Sequence, residues 1–355
     1  MVVTKKMGVV LEDTSITKMD PVFFDPFIDP IECRGMYKKF VRVPEEVAKQ
    51  TNECLYKFRN TSAGVRMVFR TDSDYIAIHS ELEDCDQHSS PLTNAAVSGF
   101  NVAVLKGNKL SCVKTVSPTQ GEGKNYAEGR VMLEEGMKEI EIVFPLFVEI
   151  RKMYIALREG SKVLRTNRKY KYDKPVVFYG SSIVHGVGSS IPFNTYPNLA
   201  SYMYGFDYYN YGFGGGAKTE EAIIDFLASL DMSVFVYDYD HNAPSVEYFE
   251  KTHYRGYRQF REKQPDTPII LISKFGYYYS NHVDNERRRK IILETYRKGI
   301  EAGDKNLWFI DGRYLVPKKD AWYMTTDLVH PNDIGYYFMA KKIGKTVVQA
   351  IKEKK

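Results

Sequence analysis

The chain has 355 residues, of which 43% are hydrophobic and 27% are charged. Chains of this length usually form more than one domain, and this hydrophobic content is enough to fill two cores, which excludes a mainly disordered protein. No apolar run approaches the roughly eighteen residues of a membrane span. The formal net charge is +5, but the basic clusters, at residues 287–290 and near the C-terminus, have helical apolar spacing, which indicates solvated helix faces. We therefore expect no membrane and no nucleic-acid partner.

The first residues and the cysteines bear on the cellular compartment. The lysines near the start are followed by no apolar stretch and no small-residue cleavage site, so we recognise no export signal and expect a cytoplasmic protein. The cysteines lie in the first third of the chain, without a C-x-x-C pair: Cys33, Cys54, Cys85 and Cys112. This pattern favours free thiols over disulfides and indicates neither a zinc site nor a redox pair.

The first half of the chain, residues 1–165, has a residue pattern typical of an all-β domain. Short strands are predicted at residues 65–70, 75–79, 102–105 and 140–144, with Gly, Asn, Asp and Ser between them. The spacing favours antiparallel sheets packed as a jelly-roll-like sandwich. Residues 45–52 are the one segment of this half for which we predict a helical turn.

The residue pattern changes after a polar, basic stretch, residues 166–174, that we interpret as a linker. In residues 175–355, apolar runs typical of buried parallel strands occur at residues 176–179, 234–237, 269–272 and 307–310. Amphipathic helices are predicted between and after them, at residues 197–204, 219–230, 246–264, 286–302 and 334–352. This alternation predicts a flavodoxin-like three-layer α/β/α domain.

In open parallel sheets, the reactive groups collect at the carboxyl ends of the strands. The first strand leads into Gly180-Ser181-Ser182, where a serine at the start of a helix would present its hydroxyl beside free backbone N–H groups. Gly-Ser-Ser is also a common loop sequence. Ser182 is therefore a candidate nucleophile, and a purely structural loop is the alternative.

The second strand end carries a glycine-rich segment, residues 210–219. Its N–H groups could bind a developing oxyanion or a phosphate. The segment nearly matches the phosphate-binding pattern G-x-x-x-x-G-K-[ST], with Ala217 in place of the second glycine. Asp238, at the end of the next strand, could be the acid that holds magnesium in such a site. A nucleotide hydrolase is therefore the rival hypothesis.

Two further segments carry polar side chains at strand ends. Asn242 could donate its amide to a negative oxygen, or it could cap the helix that begins near Ser245. Asp327 and His330 lie three residues apart just before the last helix. A serine nucleophile needs a histidine base, which in turn needs a carboxylate to fix its tautomer. A packed or capping histidine is the alternative for His330.

Taken in this order, the four segments resemble the SGNH (GDSL-type) hydrolase superfamily over residues 175–352. The resemblance implies Ser182 as nucleophile, His330 as general base and Asp327 as its partner. It also implies an oxyanion hole formed by the N–H groups of Ser182 and Gly215 and by the Asn242 amide.

The sequence departs from the family pattern in two places. Ser181 stands where the family usually has aspartate, a change that leaves the nucleophile intact. The third family block, Gly-x-Asn-Asp, reads Asp240-His241-Asn242-Ala243, so only its asparagine is kept.

The front half resembles the β-sandwich that precedes such a domain in one subset of the superfamily. Residues 98–102 stand where that subset has Gly-x-Asp-Leu-Tyr, but Asn101 and Val102 depart from the motif. Residues 144–147 and 153–155 match the closing strands. We expect the 99–102 loop to form a wall of the substrate site, the alternative being a purely stabilising domain.

The resemblance implies a serine esterase that needs no metal and no cofactor. The resemblance also implies carbohydrate deacylation, so we predict hydrolysis of short acyl esters, above all acetyl, on a carbohydrate. Loops rich in Tyr and Trp, at residues 277–279 and 322–323, are suited to stacking on sugars. The alternatives are an esterase, lipase or thioesterase acting on non-sugar esters, and an inactive carbohydrate-binding protein. The sequence leaves the oligomeric state and the substrate-binding residues open.

Overall fold

The computed structural model describes residues 1–83, 91–106, 109–118, 125–279 and 282–354. The chain divides into two compact units. The first unit comprises Met1–Val41, Asn60–Lys169 and Ile191–Phe193, and the second comprises Arg42–Arg59, Tyr170–Ser190 and Asn194–Lys355.

The strands are β1 (Pro21–Phe24), β2 (Glu32–Arg34), β3 (Arg66–Thr71), β4 (Tyr75–Leu82), β5 (Phe100–Lys106), β6 (Lys109–Val116), β7 (Tyr126–Met132), β8 (Lys138–Val143), β9 (Ile150–Arg158), β10 (Val163–Leu164), β11 (Val176–Gly180), β12 (Tyr208–Gly212), β13 (Val234–Asp238), β14 (Ile269–Ile272) and β15 (Leu307–Ile310). The α-helices are α1 (Glu45–Thr51), α2 (Glu53–Phe58), α3 (Asn94–Ser98), α4 (Ser182–His185), α5 (Tyr196–Tyr204), α6 (Glu221–Ala228), α7 (Val246–Lys263), α8 (His282–Glu301) and α9 (Asp333–Glu353).

The first unit contains two antiparallel sheets. One has the strand order β1-β9-β4-β7, and the other has the order β10-β3-β8-β5-β6 with β2 beside β3. Strand β8 is buried along its whole length, and β4 is buried at all but one position, so their alternating side chains supply the core of the unit. This architecture confirms the predicted β-sandwich.

The second unit is built on a parallel sheet with the strand order β12-β11-β13-β14-β15. Successive residues of β11 point to opposite faces. Val177 and Tyr179 pack in a cluster with residues of α6 and α7, whereas Val176 and Phe178 pack with residues of α5 and α9. Helices on both faces make the three layers that the sequence predicts.

The predicted strands of this sheet match closely because continuous apolar runs mark strands that are buried on both faces. The bounds of β14 and β15 are those of the predicted runs. The carboxyl ends of β11, β12 and β13 lie side by side, since Gly180 pairs with both Gly212 and Asp238. The site must therefore be sought at this edge.

The prediction for residues 45–52 was wrong in one respect. This segment is not the one helical turn of the front half, because α2 and α3 also form there. Residues 42–59 moreover belong to the second unit, since Ala48 and Leu55 are buried in the cluster beside α6. Local amphipathic pattern does not reveal which core a short helix joins.

Candidate active site

Ser182 is the first residue of α4 and follows β11 almost directly. Ser181 caps this helix, its Oγ accepting a hydrogen bond from the Ile183 N–H. As the first helical residue, Ser182 has a backbone N–H without an intrahelical partner. A β-carbon at Gly180 would lie 2.1 Å from the Asp238 carbonyl oxygen, so the strand ends meet this closely because residue 180 is glycine.

His330 and Asp327 lie in a turn, residues 325–331, that we call the histidine turn. Asp327 Oδ1 accepts hydrogen bonds from the N–H groups of Val329, at 3.0 Å, and His330, at 2.7 Å. Thr325 Oγ1 donates to the His330 carbonyl oxygen at 2.9 Å. Leu328 adopts φ of 67°, in the left-handed region. Bonds inside the turn thus fix the carboxylate against the ring.

The three residues predicted to carry the chemistry form one hydrogen-bonded chain. Ser182 Oγ lies 2.9 Å from His330 Nε2, and His330 Nδ1 lies 2.7 Å from Asp327 Oδ2. Burial would raise the pKa of the Asp327 carboxyl, but hydrogen bonds from the His330 backbone and ring outweigh it and hold that pKa below 3.8. Asp327 is therefore ionised at neutral pH and favours a proton on His330 Nδ1, which leaves Nε2 to accept from the serine.

Residues 213–216, here called the glycine loop, follow β12. A β-carbon at Gly214 would lie 3.6 Å from Ser182 Cβ, so the loop runs beside the serine. The Gly215 N–H donates to Asn242 Oδ1 at 3.2 Å, and Asn242 Nδ2 donates to the Phe213 carbonyl oxygen at 2.7 Å. The second Nδ2 hydrogen has no acceptor among the described residues. Gly215 and Asn242, both predicted oxyanion donors, are thus in direct contact.

The capping alternatives for Asn242 and His330 do not fit the local geometry. Helix α7 is capped by Ser245, whose Oγ accepts from the Tyr248 N–H. Helix α9 is capped by Asn332, whose Oδ1 accepts from two N–H groups of the first turn. Neither Asn242 nor His330 is needed as a cap.

The phosphate-binding alternative does not fit either. Thr219, which would hold magnesium in such a loop, is fully buried, and its Oγ1 accepts a hydrogen bond from the Tyr237 hydroxyl at 3.0 Å. Asp238 is 3% exposed and accepts from the Tyr196 hydroxyl at 3.1 Å. Burial raises the pKa of this carboxyl well above 3.8. The nucleotide hydrolase hypothesis is therefore dropped.

Side chains that the sequence did not single out also contact the glycine loop. Three of them come from residues 42–59: Arg42, whose guanidinium lies over the Phe213 ring, Asn52 and Cys54. His185, which is fully buried, accepts from the Gly214 N–H through Nδ1 at 3.3 Å. The sequence of residues 42–59 gives no signal for such contacts, because the partners are backbone groups far along the chain.

The aromatic loops divide into packed and exposed members. Tyr279 is 8% exposed, and its ring lies 5.5 Å from that of Trp322. Trp322 is 59% exposed and Tyr323 is 74% exposed, and both directly precede the histidine turn. Tyr277 and Tyr278 are half-buried, so Trp322 and Tyr323 are the most exposed rings of the two loops.

Asn101, in the loop expected to form a wall of the substrate site, is fully buried. Its Nδ2 donates to Thr115 Oγ1 at 3.0 Å, and its Oδ1 accepts from the Phe193 N–H at 2.8 Å. All three residues belong to the first unit. The Asn101 amide is thus bonded inside its own unit, and a role of this loop toward a substrate stays a prediction.

Several other expectations concern ions, thiols and membranes. Within the described ranges, no group of three or more His, Cys, Asp or Glu side chains is arranged to hold a metal ion. Cys33, Cys54 and Cys112 are free thiols, and Cys85 lies outside the described residues. No helix in the described part of the chain is long and apolar enough to cross a bilayer.

Two family models match the sequence in succession. Residues 173–348 match the GDSL-like lipase/acylhydrolase family, and residues 23–163 match the model described as the N-terminus of SGNH-hydrolase-type esterases. Among curated proteins, none matches the sequence significantly.

Solved structures similar to this chain share its fold over most of its length. A protein of Bacteroides ovatus described as a GDSL-like lipase is 25% identical, with a TM-score of 0.80, 91% of this chain covered and 96% of that chain. The salicylyl-acyltransferase SsfX3 of a tetracycline biosynthetic pathway is 19% identical, with a TM-score of 0.75 and coverage of 94% and 98%. A family two carbohydrate esterase of Clostridium thermocellum, in complex with cellohexaose, is 12% identical, with a TM-score of 0.59 and coverage of 82% and 94%.

Proposed function

The chain belongs to the GDSL-like lipase/acylhydrolase family, with the N-terminal domain of SGNH-type esterases, and we propose that it removes short acyl groups, above all acetyl, from a carbohydrate. The observation that carries this proposal is the hydrogen-bonded chain from Ser182 through His330 to Asp327. Its order and distances are those that nucleophilic acyl transfer requires.

In the first half-reaction, Ser182 Oγ attacks the ester carbonyl carbon while His330 Nε2 takes the hydroxyl proton. The carbonyl π electrons move to oxygen and form the tetrahedral oxyanion. When this intermediate collapses, the carbonyl re-forms and the C–O bond to the sugar breaks. His330 gives the proton to the departing sugar oxygen, which leaves as a hydroxyl, and the acyl group stays on Ser182. Asp327 stabilises the imidazolium that exists between these two transfers.

The oxyanion would be held by the N–H groups of Ser182 and Gly215 and by the Asn242 amide. The Gly215 N–H now donates to Asn242 Oδ1 at 3.2 Å, the long end of the normal range. A charged oxygen forms bonds about twice as strong as a neutral one, so the oxyanion can take over this donor. Each such donor contributes about 3 to 4 kcal/mol to catalysis.

In the second half-reaction, His330 removes a proton from water, and the hydroxide oxygen attacks the acyl carbon. The C–O bond to Ser182 breaks, and the proton returns from His330 to Ser182 Oγ. The products are the free carboxylic acid and the original enzyme.

The carbohydrate part of the proposal is supported by the exposed rings of Trp322 and Tyr323 next to the histidine turn. Large flat rings with an exposed face suit stacking on the apolar face of a sugar. Proteins with the same fold include the Clostridium esterase that binds cellohexaose and an acyltransferase that moves a salicylyl group. Sugar and non-sugar acyl acceptors are therefore the two classes to compare.

The test is a substrate panel measured with wild type and with Ser182→Ala. We expect p-nitrophenyl acetate to be hydrolysed faster than the butyrate, octanoate and dodecanoate, and acetylated oligosaccharides to release acetate. A preference for the long esters would contradict the acyl-length part, and no release from any acetylated sugar would contradict the carbohydrate part. Oligosaccharide binding without any hydrolysis would favour the inactive binding protein.

A further inference from the structure

The carbonyl groups along the end of β12 and the glycine loop are held by side chains from an unexpected part of the chain. Arg42 Nη1 donates to the carbonyl oxygens of Asn210, at 3.0 Å, and Gly212, at 3.1 Å. The Cys54 thiol donates to Gly214 at 3.1 Å, and Asn52 Nδ2 donates to Gly216 at 2.9 Å. Every second carbonyl from residue 210 to residue 216 is thus bonded. We call Arg42, Asn52 and Cys54 the clamp.

Of these four bonds, the one from Cys54 bears directly on the proposed chemistry. The carbonyl of Gly214 and the N–H of Gly215 belong to the same peptide unit, which is planar and trans, so they point in opposite directions. A donor that fixes the carbonyl therefore fixes the direction of the N–H. The Gly215 N–H is the group proposed above to bind the oxyanion.

The thiol is suited to this task by its protonation and its packing. Burial raises the pKa of the Cys54 thiol, so it carries its proton at neutral pH and acts as a donor. A β-carbon at Gly215 would lie 3.3 Å from Cys54 Sγ, which shows that the sulfur packs against this glycine as well. Its neighbour Leu55 lies against Gly216 on the same loop.

The preceding peptide unit, between Phe213 and Gly214, is hydrogen-bonded at both its carbonyl and its N–H by side chains outside the clamp. Its carbonyl, on Phe213, accepts from Asn242 Nδ2, and its N–H, on Gly214, donates to His185 Nδ1. In the next unit, Cys54 is the only side chain among the described residues that bonds the carbonyl oxygen, on Gly214, and the N–H, on Gly215, is the proposed oxyanion donor. When the Gly215 N–H exchanges Asn242 for the oxyanion, the hydrogen bond from the Cys54 thiol is the side-chain bond that this peptide unit keeps.

We propose that Cys54, as part of the clamp, is a positioning residue that aims the Gly215 N–H at the oxyanion. This inference rests on the proposed function. Oxyanion stabilisation acts on the transition state, so a misdirected donor lowers kcat and leaves KM nearly unchanged.

The experiment compares Cys54→Ala, which lacks the donor, with Cys54→Ser, which restores one. With p-nitrophenyl acetate, we expect kcat of Cys54→Ala to fall about tenfold at constant KM, since the donor is displaced and not removed. Cys54→Ser should recover most of this loss. Cys112→Ala, in β6 of the first unit, is the matched control and should leave kcat unchanged.

Two further measurements separate this inference from the proposed function. Hydrogen–deuterium exchange of peptides covering residues 210–220 should be faster in Cys54→Ala than in wild type and restored in Cys54→Ser. Labelling of Ser182 by a fluorophosphonate, followed by mass spectrometry, reports whether the serine is a nucleophile at all. A wild type that neither labels nor hydrolyses esters would overturn the proposed function, while the exchange rates would still decide whether the thiol holds the loop. Unchanged exchange in Cys54→Ala, or faster exchange with normal kcat, would overturn the positioning role.

Discussion

The histidine turn and the glycine loop both border Ser182, but they are held in place by different means. The turn is closed by its own residues, since Asp327 and Thr325 make their hydrogen bonds to positions within it. The loop is held by side chains from distant parts of the chain, of which Cys54 is separated from Gly214 by 160 positions.

Under the proposed mechanism, this difference separates two kinds of catalytic contribution. The proton-transfer residues need only the correct mutual distance, and a short turn can set that distance locally. An oxyanion hole needs backbone N–H groups that keep their direction while charge develops, and this preorganisation depends on everything that packs behind the loop. Variants in the two regions should therefore fail in different ways.

The largest effect is expected at the serine and its base. Ser182→Ala and His330→Ala should each lower kcat for p-nitrophenyl acetate by about 10⁴-fold or more, because each removes a whole step of the mechanism. The double variant should lose no more than either single one, since the residues act as a unit. Additive losses would show that the two side chains work independently and would contradict the turn's assignment.

A smaller effect is expected for Asp327→Asn. The Oδ1 atom that accepts from the N–H groups of Val329 and His330 is retained, so the turn should keep its shape and the melting temperature should change little. The carboxylate that faces His330 Nδ1 is replaced by an amide, which favours the wrong tautomer and should lower kcat about 10³-fold or more. A large loss of thermal stability with normal kcat would mean that Asp327 is only a structural residue of the turn.

The glycine loop is probed by Asn242→Ala, for which we expect about a hundredfold loss in kcat. The variant removes a proposed oxyanion donor and also the bond from Asn242 Nδ2 to the Phe213 carbonyl oxygen, which still accepts from the Gly216 N–H at 3.0 Å. Fluorophosphonate labelling of Ser182 should persist at a reduced rate, because Ser182 and His330 are untouched. Near-normal turnover of Asn242→Ala would remove this residue from the proposed oxyanion hole.

The same contrast explains what could be predicted from the sequence. Strands β14 and β15 could be bounded from their apolar runs, and Asp327 and His330 could be paired from a spacing of three residues, because both signals are local. The catalytic assignment of Ser182 needed the resemblance to a family, since Gly-Ser-Ser alone has no specific meaning.

The clamp could not be predicted, for physical reasons. Charged side chains are almost never fully buried unless they are paired, so a lone arginine such as Arg42 is expected at the surface. Its actual partners are backbone carbonyl oxygens. Every residue has one, so the order of side chains in the sequence does not predict which of them Arg42 binds. The thiol of Cys54 likewise gives no signal beyond that of an ordinary free cysteine.

The smallest expected effect, and one on stability, concerns Arg42→Lys. Arg42 is 1% exposed, and its guanidinium donates to the carbonyl oxygens of Asn210, Gly212 and Phe58. An ammonium group is a point donor and lacks the planar fork that reaches several acceptors at once. The substitution would leave buried carbonyl oxygens without a partner. We expect this to lower the free energy of unfolding by about 1 to 3 kcal/mol.

Urea denaturation of Arg42→Lys measures this loss, and Arg287→Lys is its matched control. Arg287 is exposed and paired with Glu247 at 3.0 Å, so its replacement should change the free energy of unfolding by about 0.5 kcal/mol or less. Because the same carbonyl groups lead into the glycine loop, the loss in Arg42→Lys should be accompanied by faster hydrogen exchange over residues 210–220. If Arg42→Lys were as stable as Arg287→Lys, the loop would not depend on residues 42–59. The proposed difference between the histidine turn and the glycine loop would then be wrong.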